Sequence, residues 1–137
     1  MSAYSPMIKV TSSPLSPEPL IRSFYRDDCG ALVTFIGTVR NTDKNGKKVV
    51  SLEIEACDKD AEKKLQEIAA EVRQKWQLQQ IVVQRRIGRL KVGEIALVVV
   101  IAATRRKEAF DACQYLIDRI KMGGITMERD IYEADAV

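Results

Sequence analysis

Gly30-Ala31-Leu32-Val33-Thr34-Phe35-Ile36-Gly37-Thr38-Val39-Arg40-Asn41 is the stretch on which the reading of this chain turns. Residues 31–36 form a β-branched and aromatic apolar run. With Gly30 before it and a polar segment after Asn41, the run predicts a buried strand over 31–39. Arg40 stands where that strand surfaces. An arginine there is either a rim charge with its head in water, the ordinary state of a long charged side chain, or a clamp for an anion. The same choice recurs at Arg105, Arg106 and Lys121.

Working outward, residues 7–11 predict a short first strand behind a loose tail at 1–6. Ser16-Pro17 reads as an N-cap with proline at the first helical position, opening a short helix through Leu20, Phe24 and Tyr25. Residues 41–48 carry an Asn-Gly turn signal and form a hairpin tip or a flap. Residues 49–56 alternate, with Leu52, Ile54 and Ala56 on one face, as a half-buried strand does. A long helix follows from Asp58 as N-cap to Trp76, with Ala61, Leu65, Ile68, Ala69 and Val72 on one stripe. Strands are predicted at 80–87 and 95–104, the latter apolar throughout and therefore covered on both faces. Residues 88–94 read as a connector bracketed by glycines. A second long helix spans 106–122 and ends at Gly123-Gly124 in a left-handed cap. A last strand covers 125–132. The order β-α-β-β-α-β-β-α-β makes one α+β domain over 1–137, two-layered, with a mostly antiparallel sheet and helices on one side.

The bulk properties narrow the chemistry. The 137 residues include no histidine, which removes the usual Ser-His and Cys-His nucleophile arrangements and disfavours a catalytic zinc site. Three cysteines at wide spacing, Cys29, Cys57 and Cys113, make neither a disulfide framework nor a zinc pattern. With no export signal at the N-terminus they suggest a reducing cytoplasm. Cys113 lies on the helical apolar stripe and reads as core. The formal charge of +3 is spread along the chain and argues weakly for an anionic partner. Arg105 and Arg106 begin a helix, where cations oppose the dipole. They are either plain surface charge or the flank of a bound anion. Lys121 suits a helix C-terminus in any case, and would also suit an acid–base group at a pocket rim.

Three separated motifs go further. Gly30 to Asn41, the segment Arg86-Ile87-Gly88-Arg89-Leu90-Lys91-Val92-Gly93-Glu94, and Ala109-Phe110-Asp111-Ala112 through Lys121 together resemble the large subunit of molybdopterin synthase, in the same order and spacing from about Met7 to Lys121. The resemblance implies an α/β-hammerhead-type fold and a homodimer. It implies a small ubiquitin-like partner subunit whose Gly-Gly tail ends in a thiocarboxylate, and sulfur transfer from that tail to cyclic pyranopterin monophosphate, with no metal or bound cofactor. It places Arg40 and Arg106 at the substrate and Lys121 as the essential lysine; Arg105 and Arg129, which stand at departures from the family, are expected as further substrate contacts. Nucleic acid and membrane are not implied partners.

The departures from the family are specific. Arg105 stands where the family commonly has histidine. Met122 to Glu128 replaces Thr-Arg-Ala-Pro-Phe-Trp-Lys, so the family's second active-site lysine falls on Glu128, with Arg129 beside it. The sequence stops at Val137, short of the family's usual C-terminal tail. Two alternatives therefore stand beside the enzyme. One is a catalytically altered paralogue that binds the small subunit. The other, an RNA-binding domain, is weak because the strands lack the exposed aromatic pairs on which bases stack.

Overall fold

The computed structural model describes residues 7–135; the tail expected at 1–6 lies outside the described residues. Ten regular elements follow one another: β1 (Met7–Thr11), α1 (Pro17–Arg22), β2 (Ala31–Thr38), β3 (Val49–Ala56), α2 (Ala61–Lys75), β4 (Leu78–Arg86), β5 (Gly88–Lys91), β6 (Ile95–Ala103), α3 (Arg106–Met122) and β7 (Thr126–Tyr132), with a 3-10 turn at Glu133–Asp135. They build two sheets. The first has the order β1-β4-β6-β2 and the second β5-β3-β7. Every pairing is antiparallel except β1 with β4.

β6 explains the arrangement. Leu97 to Ala103 are all buried, so both faces of the strand need cover. On one face Ile81, Val83, Val99 and Ile101 meet Leu65, Val72, Ala112 and Leu116 of α2 and α3. On the other, Val82, Val98 and Val100 meet Leu15 and Phe24, with Leu20 and Ile21 of α1 packed against them. The two long helices lie on one side as expected, while the short α1 closes the opposite face. A third cluster, Val39, Ile54, Leu90 and Ala96, joins the second sheet to the end of the first.

Two glycine-marked element boundaries have different causes. Gly30 donates its N–H to Ala103 O at 3.1 Å, and a Cβ there would stand 2.1 Å from the Thr104 carbonyl oxygen. The backbones approach too closely for any side chain. At the end of α3 the left-handed residue is Gly124, with φ of +65°, while Gly123 keeps helical geometry.

Some boundaries move. α1 ends at Arg22 rather than running through Phe24 and Tyr25. The N-cap position of α2 is Asp60 rather than Asp58, and Asp60 makes no side-chain cap bond; the Asp58 carboxylate accepts instead from the Asp60 N–H at 2.8 Å and from Lys64 Nζ at 2.7 Å. The connector at 88–94 contains β5. Leu90 is its one buried residue, flanked by exposed Arg89 and Lys91, so a strand of that length carries no readable period. Segment 41–48 is a closed turn, with Thr42 bridged to Lys48 and the Asp43 carboxylate accepting from the Tyr132 hydroxyl at 2.9 Å.

α2 and α3 are also tied by charge. The Glu71 carboxylate accepts from Arg119 Nε at 2.9 Å and Nη2 at 3.0 Å, and from the Tyr115 hydroxyl. The Arg119 hydrogen bonds, helped by Tyr115, hold Glu71 down at about 2 against 4.5 ordinarily. A carboxyl depressed by folding adds stability above its unfolded value that is lost as pH falls through its folded value. Urea unfolding should therefore show a loss between pH 4.5 and about 2 that shrinks in Glu71→Gln. Ile101→Ala, a truncation at a fully buried position, should lower the unfolding free energy by about 2–5 kcal/mol in the same assay.

Candidate functional site

A cavity of about 360 Å³ opens where β4 ends, β6 begins and α3 finishes. Arg85, Leu97, Ile120, Lys121, Thr126 and Glu128 line it. Each arrives for a local reason. Arg85 continues the helix-facing stripe Ile81, Val83, Arg85 of β4, opposite Leu97 in the antiparallel register. Lys121 sits in the last turn of α3, where a cation complements the dipole, next to buried Ile120. The reversal at Gly124 then turns the chain into β7, and alternation along that strand brings Thr126 and Glu128 to the cavity side.

Arg85 is 6% exposed. Its Nε and Nη2 donate to Thr126 Oγ1 at 3.3 and 3.1 Å, and Nη2 donates to Glu128 Oε2 at 2.5 Å. Glu128 itself is half exposed. Arg129, one residue on, falls on the other face of β7. Its Nη2 pairs with Glu53 Oε2 at 2.6 Å, beside a hollow of about 330 Å³ lined by Glu53, Glu55, Met127, Glu128 and Arg129. The expected approach of Arg129 to Lys121 is thus not made. The pleat turns consecutive residues to opposite faces, and Arg85 supplies the second cation of the cavity.

The remaining cations divide between the two ends of the first sheet. Arg40 lies just past β2, whose Gly37 is in register with cavity-lining Leu97. Arg105 and Arg106 lie at the far end, after Ala103, which pairs with Ala31. The 15 residue steps of helix from Arg106 to Lys121 correspond to about 22 Å at the α-helical rise. Arg40, Arg105, Arg106 and Lys121 are all exposed. Their side chains have no ion pair or hydrogen bond among the described residues. One chain therefore gathers Lys121 and Arg85 in the cavity with Arg40 at the same end, and leaves Arg105 and Arg106 remote.

Sequence reading missed Arg85. The available signal was a charge at the third position of an otherwise apolar i, i+2, i+4 stripe. Cys113 is buried, and desolvation pushes its thiol up to about 11, as a core residue requires. Among the described residues no group of three or more His, Cys, Asp or Glu could hold a metal ion, and no helix is long and apolar enough to cross a membrane.

The family model of the MoaE protein matches residues 10–123. The chain belongs to the MoaE family. The molybdopterin synthase catalytic subunit of Bacillus subtilis (strain 168) is 38% identical over 125 residues, covering 91% of this chain and 79% of that protein. The crystal structure of molybdopterin synthase from Staphylococcus aureus superposes with a TM-score of 0.80 at 33% identity, covering 97% of this chain and 93% of that one. A complex of subunits 1 and 2 of molybdopterin-converting factor from Helicobacter pylori shares the fold, with a TM-score of 0.66 at 14% identity, over 96% of this chain and 86% of that one. As a MoaE-family protein, this chain is an enzyme of molybdenum-cofactor biosynthesis of the molybdopterin synthase class. The matched segment ends at Gly123, so the MoaE signature covers Arg40, Arg85, Arg106 and Lys121 but not the β7 wall with Thr126 and Glu128.

The Arg129–Glu53 pair is exposed on the arginine side, and such pairs contribute little. Arg129→Ala should lower the unfolding free energy by no more than about 1 kcal/mol in urea titrations.

Proposed function

We propose that this chain is the catalytic, pterin-binding half of a molybdopterin synthase. In this reading it takes sulfur from the C-terminal Gly-Gly thiocarboxylate of a small ubiquitin-like subunit and transfers it to cyclic pyranopterin monophosphate, forming the dithiolene. The observation that carries the reading is Lys121, unpaired at the rim of a cavity that also holds a buried arginine. Its ammonium can stabilise the negative charge that develops on the acyl oxygen as the thiocarboxylate gives up sulfur, and can supply a proton to the departing group. Arginines suit the phosphate because they present several fixed donors and stay charged. The Helicobacter pylori complex, in which one chain shares this fold and a second subunit is bound to it, supports the small-subunit partner. The three free cysteines suit a reducing cytoplasm.

The placement of the arginines adds a requirement. Arg106 and Lys121 are separated by about 22 Å of rigid helix, too far to hold one small substrate. We infer that the working unit is a homodimer whose site combines Lys121, Arg85 and Arg40 of one protomer with Arg105 and Arg106 of its partner. The alternative is a paralogue that binds the small subunit without turnover, and Glu128 in the cavity is the feature that favours it.

Reconstitution with thiocarboxylated small subunit and cyclic pterin separates the two readings. Lys121→Ala should reduce molybdopterin formation by about 10²–10⁴-fold while small-subunit binding persists. Binding by the wild-type chain without product would instead establish the binding module. Mixing Lys121→Ala with Arg106→Ala chains should restore activity, because each mixed dimer then has one intact site. No recovery on mixing would place both residues at work within one protomer.

A further inference from the structure

Arg85 is a fully charged side chain placed where its strand otherwise turns Ile81 and Val83 into the helix-covered core. Burial of an arginine needs compensation by partners, and here protein partners engage Nε and Nη2 while Nη1, which is not among the buried unpartnered atoms, stays open to solvent. Thr126 Oγ1 takes the edge shared by Nε and Nη2, and Glu128 takes the other side of Nη2 through a single oxygen. Nη1, with two N–H groups, has no partner among the described residues. Both edges on which a guanidinium grips a planar carboxylate as a parallel fork include Nη2, and Nη2 is occupied. The remaining donors on Nη1 diverge. With Lys121 on the same cavity wall, they suit a tetrahedral anion whose oxygens point in different directions.

The charge of the cavity is equally specific. Arg85 and Lys121 are cations and Glu128 is an anion, so the lining residues carry one net positive charge. We propose that Arg85 binds the anionic group of the ligand through Nη1, and that Glu128 both fixes the guanidinium and trims the cavity charge, so that the cavity selects a singly charged phosphodiester over a doubly charged phosphomonoester. This rests on the reading of the Lys121 cavity as the pterin site, since a cyclic phosphate is a diester with one negative charge.

The test uses the full chain and small probes, so it needs neither the small subunit nor turnover. Dimethyl phosphate, methyl phosphate and N-acetylglycine are titrated near pH 8, where a phosphomonoester is doubly charged because its second ionisation lies near 6. Binding is followed by NMR shifts of the arginine Nε–H and lysine side-chain signals. The wild-type chain should bind dimethyl phosphate at least as tightly as methyl phosphate, and both more tightly than N-acetylglycine. Arg85→Gln should weaken dimethyl phosphate binding by about tenfold or more, the loss expected for a charge-assisted contact. Glu128→Gln should turn the preference over, strengthening methyl phosphate binding several-fold more than dimethyl phosphate binding. Unchanged dimethyl phosphate affinity in a folded Arg85→Gln protein, tighter binding of N-acetylglycine, or an unchanged phosphate preference in Glu128→Gln would each overturn the proposal. Should Arg85→Gln fail to fold, Glu128→Gln decides alone, because Glu128 is half exposed. The two proposals fail separately. A wild-type chain that selects diesters but makes no molybdopterin defeats only the sulfur-transfer reading. A folded Arg85→Gln enzyme with an unchanged KM for the cyclic pterin defeats only the role of Arg85.

Discussion

A strand with no polar residue between Ile95 and Ala103 has to be covered above, below and along both edges, and that requirement organises the rest of the molecule. β4 and β2 take the edges, α2 and α3 one face, α1 and Phe24 the other. The long helices then run back along the sheet, because the chain leaving β6 enters α3 after only two residues. Lys121 is consequently returned to the end where β6 began. The functional end of the fold is thus a by-product of burying β6: the strand start, the helix end and the last residues of β4 must coincide there.

The second sheet depends on this frame and completes the cavity. It is fastened through Val39, Ile54, Leu90 and Ala96, and β7 reaches it directly from the reversal after α3. Strand alternation leaves β7 with two chemically different faces. Thr126 and Glu128 engage Arg85, while Arg129 engages Glu53. A buried guanidinium without Thr126 and Glu128 would be an uncompensated charge, which is costly. Glu128, which falls where the family has a lysine, has a definite structural role, since it balances the buried cation Arg85.

Much of the architecture was legible because its signals are local. The apolar run at 95–103, the helical stripe from Ala61 to Val72, and the alternation at Leu52, Ile54 and Ala56 each state their own period. β5 was not legible, since one buried leucine in four residues has no period to read. The division into two sheets was not legible either. β2 and β3 follow one another in sequence, yet they pair with different partners, and only the competition for partners settles that.

The sequence by itself determined every element but β5, the family and every candidate cation but Arg85, because periodicity, motif spacing and residue type are properties of short stretches. Only the tertiary structure decided which cations meet. It separated Arg105 and Arg106 from Lys121 by the length of a rigid helix, turned Arg129 away by the pleat of β7, and brought Arg85 in from 36 positions upstream of Lys121. Proximity across sheets is set by how whole elements pack around β6, and no window of sequence contains that information.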